Sequence, residues 1–233
     1  MNTMHQEEQG GDVDRALEEL RGRLAGSVIE PQDPLYDEAR AVWNGMIDVR
    51  PRAVIRAGAV GDIDPVLDTA RHTGLPLAVR GGGHNIAGHG TVDGGLVLDL
   101  GQLRGVDVDV ERRLVTVEPG ATLADVDSAT VTHGLAVPLG VISATGVAGL
   151  TLGGGVGWLT RPGGLSLDNP VPAGLAEWPA DEDLYTLCPS CGRVYRDSVI
   201  EETGTAPVAF RVDVTTGPIA EAIKVHWQLS AQD

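Results

Sequence analysis

Three consecutive glycines, Gly81–Gly83, stand directly after the apolar run Leu75–Val79, in the stretch LPLAVRGGGHNIAGHG. Glycine removes side-chain bulk and frees the backbone angles, so such a loop serves a sharp turn or a close approach to the main chain. An isolated triple glycine reads as a surface turn. This one lies between two apolar segments and has a partner of the same texture, TGVAGLTLGGGVGW, from Thr145 to Trp158. Two such loops can offer several backbone N–H groups to negative oxygens, as around a pyrophosphate. Neither contains G-x-x-x-x-G-K-[ST] or the strict G-x-G-x-x-G pattern, so neither a P-loop nucleoside triphosphatase nor a conventional dinucleotide-binding turn is supported.

The flanking pattern predicts the fold class. Val13, Ala16, Leu17, Leu20 and Leu24 recur at helical spacing over 12–25, with Asp12 as the cap and Gly26 beyond the end. A short second helix fits Pro34–Trp43. RAVIRA (52–57) reads as a strand, Asp62 as a helix cap, 63–74 as a helix stopped by Gly74, and LPLAVR (75–80) as a second strand. A strand–helix–strand unit of this kind predicts parallel strands joined by a right-handed crossover. The first glycine loop then leaves the carboxyl end of a strand, where open α/β sheets bind ligands.

GGLVLDL (94–100) is a further strand, and 105–120 alternates as a hairpin turning near Glu111 and Arg112. Residues 122–134 read as a helix with Thr122 as cap, Asp125 three residues on and Gly134 as its stop. The expected class is α+β, with a small parallel α/β part and a second, mainly antiparallel part. After Asn169 the texture changes: three prolines in PVPAGLAEWPADED, then a strand-like Val208–Val214 and a closing helix over Ile219–Trp227.

Charge removes several functions. With 33 acidic against 17 basic residues the net charge is -16, which repels phosphate backbones and anionic lipid. Only eight residues are aromatic, too few for broad stacking on bases, so no nucleic-acid partner is expected. The 27-residue run Gly134–Thr160 carries no charge, but its eight glycines and Pro138 oppose a spanning helix, and no membrane is expected. The start, MNTMHQEEQGGDVDR, is acidic and has no apolar segment, so the expected location is cytoplasmic. An anionic small ligand stays open where local amides outweigh the distant negative field.

His84 follows the glycines at once, and a loop histidine is either a structural hydrogen-bonding group or a reactive one. His89, five residues on, invites a metal reading, but no acidic partner is spaced beside the pair and no metal is expected there. PLAVRGGGHNIAGHGTVDGGLVLDL, VEPGATLADV, GLAVPLG and TGVAGLTLGGGVGWLTR follow in order between about Tyr36 and Asn169. Together they resemble the flavin-binding domain of the p-cresol methylhydroxylase and vanillyl-alcohol oxidase superfamily, in particular the berberine bridge enzyme-like bacterial oxidases.

The resemblance implies FAD as cofactor. Its contacts would come from Arg80, Gly81, Gly82, Gly83, His84, Asn85 and Gly88 in the first loop, and from Thr145, Gly146, Gly149, Gly153, Gly154, Gly155 and Gly157 in the second. It also implies a covalent bond from His84 to the 8α carbon of the isoalloxazine ring. A ring nitrogen beside that electrophilic methyl can act as a nucleophile, and the bond anchors the cofactor and raises its tendency to accept electrons. Some relatives add a tether through cysteine; GVISATGVAG has none, so a single attachment is implied. The implied activity is that of an FAD-linked oxidase, with hydride passing from an alcohol- or sugar-like small molecule to FAD and the electrons then to oxygen.

The domain reading is a helical lead-in over 1–35, the FAD-binding domain over 36–169 and an unmatched tail over 170–233. Family enzymes continue into a substrate domain that covers the ring, and only 64 of the 233 residues follow Asn169. The expectation is a flavin domain with the substrate domain missing, its catalytic residues unassigned and its substrate unplaced. Such a chain is completed by a second chain, or else is a non-catalytic flavin-binding module or a truncated product. The tail holds both cysteines, Cys188 and Cys191, in CPSCG. A CPxCG knuckle is half of a zinc ribbon, with His226 as a third candidate ligand and no fourth in view; a redox thiol pair, a disulfide and a chance pair are the other readings.

Overall fold

The computed structural model describes residues 2–169, 185–187, 194–196, 225–228 and 230–231. The chain divides into two compact units, with the boundary between Leu103 and Arg104. The first contains α1 (Asn2–Arg21), β1 (Ser27–Ile29), α2 (Tyr36–Arg40), β2 (Ala53–Arg56), α3 (Ile63–Thr73), β3 (Leu77–Arg80) and β4 (Leu96–Asp99). Its sheet has the order β1-β2-β4-β3; β1 is antiparallel to β2, and β4 runs parallel to both of its neighbours.

β2 and β3 therefore point the same way, as the strand–helix–strand pattern requires, but β4 lies between them. Burial explains the order. Leu96, Val97 and Leu98 of β4 are buried on both faces, whereas β3 alternates buried Ala78 with exposed Val79, the pattern of an edge strand. α1 packs against α3, with Leu17, Leu20, Ile63 and Val66 all buried, and each such side chain contributes roughly 1.5–3 kcal/mol.

Three local expectations change in this unit. α1 starts at Asn2, so Asp12 lies inside the helix instead of capping it; the Gly10–Gly11 pair costs ~1 kcal/mol per glycine and does not break the helix. α2 stops at Arg40 because Ala41 turns to extended backbone and Trp43 gives its N–H to Gly83 O at 3.1 Å. Asp62 makes no side-chain cap to α3. Its carboxylate, 3% exposed, accepts the N–H groups of Ala25, Gly26, Gly58 and Ala59, and so ties the turn before β1 to the turn after β2.

The second unit begins with the antiparallel hairpin of β5 (Val106–Asp109) and β6 (Leu114–Val117), followed by α4 (Leu123–Val131), β7 (Leu135–Ala136), α5 (Val147–Leu152) and α6 (Thr160–Gly163). The short strands β8 (Tyr185–Leu187) and β9 (Val194–Arg196) pair antiparallel; β10 (Val225–Gln228) pairs with β6 and β11 (Ser230–Ala231) with β7. The core gathers Val115, Val117, Leu123, Val126, Leu135, Val137, Leu139 and Val147.

α4 is entered as the sequence predicts: Asp125 Oδ2 accepts the N–H of Thr122 at 2.7 Å and its hydroxyl at 2.8 Å, and Gly134 follows the end in a left-handed conformation. The expected closing helix is corrected. Its last residues, 225–227, belong to β10, because V-H-W suits a pleated ladder and the open edge of β6 supplies one. Cys188, Cys191 and the strand expected at Val208–Val214 lie outside the described residues. Among the described residues no helix is long and apolar enough to cross a membrane.

Candidate functional site

The register of the parallel strands sets Asp99 opposite both Arg56 and Arg80 at their carboxyl ends. The Arg80 side chain is only 6% exposed. Its guanidinium donates to Asp99 Oδ2 at 2.8 Å, to Ala41 O at 3.1 Å and to Ala39 O. Arg56 Nε stands 3.7 Å from the same carboxylate oxygen, and Asp99 Oδ1 accepts the Gly101 N–H at 3.0 Å. Two guanidiniums around the Asp99 carboxylate, with Glu38 also at this rim, leave it formally balanced in a chain of net charge -16. The sequence reading marks Arg80 as a ligand contact; its guanidinium is committed to the protein and holds the end of α2 over the strand ends. Arg56 escaped that reading, and the only sequence signal for it is a basic residue ending a buried strand.

Gly81–Gly90 leaves β3 and is held by a strap, residues 43–47. Trp43 N–H binds Gly83 O, Asn44 Nδ2 donates to Ile86 O at 2.8 Å, and Ile47 packs where a side chain on Gly88 would sit. The Trp43 and His84 rings stack with centroids 5.9 Å apart and planes 25° apart, and His84 Nδ1 lies 2.8 Å from Gly82 O. Gly83 has φ of 69°, open to glycine without strain. Asn85 closes the loop on itself, its main-chain oxygen taking the Gly88 N–H and its side-chain oxygen the His89 N–H. From Gly81 to Ala87 no amide N–H meets an acceptor among the described residues. Beside Gly81–Gly83 is a cavity of about 230 Å³ whose lining includes Glu38, Trp43, Arg56, Arg80 and Asp99.

In the second unit the glycine-rich segment is spent differently. Thr145 O accepts the Leu123 N–H, and Gly146 bridges to Thr122 at the start of α4. Gly153 and Gly154 donate to Gly149 O and Thr151 O, and Gly157 N–H goes to Thr160 Oγ1 at 2.8 Å. A Cβ on Gly157 would come within 1.7 Å of Leu139 O, so this glycine is required by the chain's own packing. Burial raises the Asp125 carboxyl pKa, but the Thr122 N–H and hydroxyl and the Arg104 guanidinium outweigh it and hold the group below the usual carboxylate range. Gly149 lies within α5, and Gly155 O accepts the Ser166 N–H.

Residues 51–172 match the family of the FAD binding domain. The chain belongs to that family. It is 36% identical over 152 residues to (R)-6-hydroxynicotine oxidase of Paenarthrobacter nicotinovorans, covering 65% of this chain and 33% of that protein. It is 35% identical over 149 residues to the FAD-linked oxidoreductase YgaK of Bacillus subtilis (strain 168), covering 64% and 33%. The structure of this FAD-binding chain matches 6-hydroxy-D-nicotine oxidase from Arthrobacter nicotinovorans with a TM-score of 0.66 at 27% identity, covering 89% of this chain and 43% of that one. It matches BBE-like 1 of Physcomitrella patens at 0.65 and 20% identity, covering 92% and 44%, which speaks to the fold alone. The chain spans about a third of the length of the curated relatives it matches.

The first unit fits part of FAD. A run of seven amides without internal acceptors, Gly81–Ala87, is a donor set suited to diphosphate oxygens. A cavity of about 230 Å³ is smaller than the ~300–1,000 Å³ of whole small-molecule sites, so by size it could take only a portion of a dinucleotide.

Proposed function

We propose that the amides of Gly81–Ala87 hold the diphosphate of FAD and that His84 carries the flavin through a covalent bond at the 8α carbon. The observation behind this reading is the run of unspent N–H groups at the carboxyl ends of parallel strands, beside a histidine held by two contacts. Arg56 and Arg80 offset the carboxylates of Asp99 and Glu38 at that rim. The Gly81–Gly83 loop binds and orients, the strap at 43–47 keeps the loop in place, and His84 fastens. When bound, the flavin supplies hydride-accepting chemistry.

The second set of contacts, in Thr145–Gly157, rests on the resemblance, since several of its amides are already occupied. For the complete catalytic unit the reaction we favour is oxidation of a small organic molecule with electrons passing to oxygen, in keeping with relatives that include a hydroxynicotine oxidase. Contacts to that substrate would come from a further segment or a second chain, and a cytoplasmic setting belongs to the same reading.

The diphosphate assignment is tested with the His84→Ala chain, stripped of flavin and titrated with FAD and with riboflavin by fluorescence quenching. FAD is expected to bind at least about tenfold tighter, a difference of ~1.4 kcal/mol. Equal affinity for the two would remove the role given to the amides.

A further inference from the structure

We infer that Arg56 is a contact of the cofactor's diphosphate, the side chain that adds a positive charge to the amides of Gly81–Ala87. The inference rests on the diphosphate reading above and adds a residue that the glycine loop itself does not contain.

Arg56 ends β2, Asp99 ends β4 and Arg80 ends β3, and the register sets the three side by side. Residues opposite one another in neighbouring strands share a face, so both arginines stand on one side of the sheet. Two residues earlier on that side, Val54, Val97 and Ala78 pack with Tyr36 and Ala39 of α2. The dry cluster ends there, and the next layer is charged and opens on the cavity beside Gly81–Gly83.

The two guanidiniums are not equivalent. Arg80 is buried and gives its N–H groups to Asp99, Ala39 O and Ala41 O. That bond and the Gly101 N–H satisfy Asp99. Arg56 reaches the carboxylate only at 3.7 Å, beyond hydrogen-bond distance, and among the described residues its guanidinium meets no acceptor. Yet its side chain is only 26% exposed, so the charge has lost much of its water. A guanidinium carries five N–H donors, and leaving them unmatched in a half-buried place is costly.

A phosphate supplies what is missing, since a planar guanidinium can give it two N–H bonds at once, each strengthened by the charges. Gly81, Gly82 and Gly83 line the same cavity, so a phosphate seated on their amides shares that space with Arg56. Glu38, the other carboxylate on the lining, is exposed, and water and salt weaken its repulsion.

The test compares the full His84→Ala chain, stripped of flavin, with the same chain carrying Arg56→Gln as well. Glutamine keeps a polar stem and removes the charge; Arg56 is partly exposed and ends its strand, so the fold stays intact, which a melting curve checks. Both chains are titrated with FAD and with riboflavin, which lacks the diphosphate. Arg56→Gln is expected to weaken FAD about tenfold and to leave riboflavin within about twofold. Arg56→Lys keeps the charge and should recover part of the FAD affinity. Added potassium chloride should weaken FAD binding more in the arginine chain than in the glutamine chain. Equal salt dependence would place the contact on the adenosine and overturn the inference. If FAD binds the glutamine chain as tightly as the arginine chain, the role of Arg56 falls and the amide reading stands. An equal loss for FAD and riboflavin would make Arg56 a support of the fold and would also overturn the inference. An arginine chain that does not prefer FAD to riboflavin removes the diphosphate reading and this inference with it.

Discussion

Arg80 shows how a residue's position and its use separate. It is the last residue of a strand and opens a glycine loop, and the family resemblance implies a ligand contact there. In the structure its guanidinium satisfies Asp99 and two carbonyls at the end of α2, those of Ala39 and Ala41. Replacing it with alanine leaves a mostly buried carboxylate with the Gly101 N–H and the longer Arg56 contact, and the expected loss is ~3 kcal/mol in a urea titration. Lysine should recover only part, since one ammonium cannot serve three acceptors held in a fork. A chain unaffected by Arg80→Ala would show that this cluster carries no stability. The sequence marks the loop by its glycines, but no local pattern says where a long side chain points, and that is why Arg56 and the shared Asp99 went unseen. Trp43 and His84 are 41 positions apart and meet only because the strap folds back on the loop.

At the scale of elements, pattern reading succeeds where the signal is local and fails where a distant partner decides. The hairpin at 106–117 and the entry to α4 follow from alternation and from Thr122 with Asp125. Asp62 has the look of a cap because it precedes a helix, yet its four N–H partners come from two turns, one of them 36 and 37 residues away in sequence. Asp62→Ala should therefore cost more than a lost cap, which is worth ~1 kcal/mol; ~3 kcal/mol is expected, because four buried or half-buried donors lose a charged acceptor. A loss of 1 kcal/mol or less by chemical denaturation would argue that water replaces the carboxylate. The strand order β1-β2-β4-β3 was not legible from succession alone, since consecutive strands usually pair. Residues 225–227 read as the end of a helix from the sequence because their partner, the edge of β6 away from β5, lies more than a hundred residues earlier.

For the whole molecule, the parallel part followed by an antiparallel part was readable because each is built from short local units with strong hydrophobic periodicity. The family was readable from glycine loops kept in order and spacing, and the match to residues 51–172 agrees with it. What the loops do was less legible. Both are rich in glycine, but Gly157 answers to Leu139 O in its own unit, whereas Gly81–Ala87 leaves its amides open. Composition alone does not distinguish a glycine that admits a ligand from one that admits the chain itself. The distinction gives the account its central claim: the first loop is the one that receives the cofactor and fastens it. The measurement that addresses this most directly is the visible absorbance of the purified, FAD-supplied chain before and after acid precipitation, set beside the His84→Ala chain. The flavin band is expected to stay with the pellet of the parent and to move wholly to the supernatant for the variant. Flavin freed entirely from the parent, or a parent that takes up no flavin at all, would contradict it.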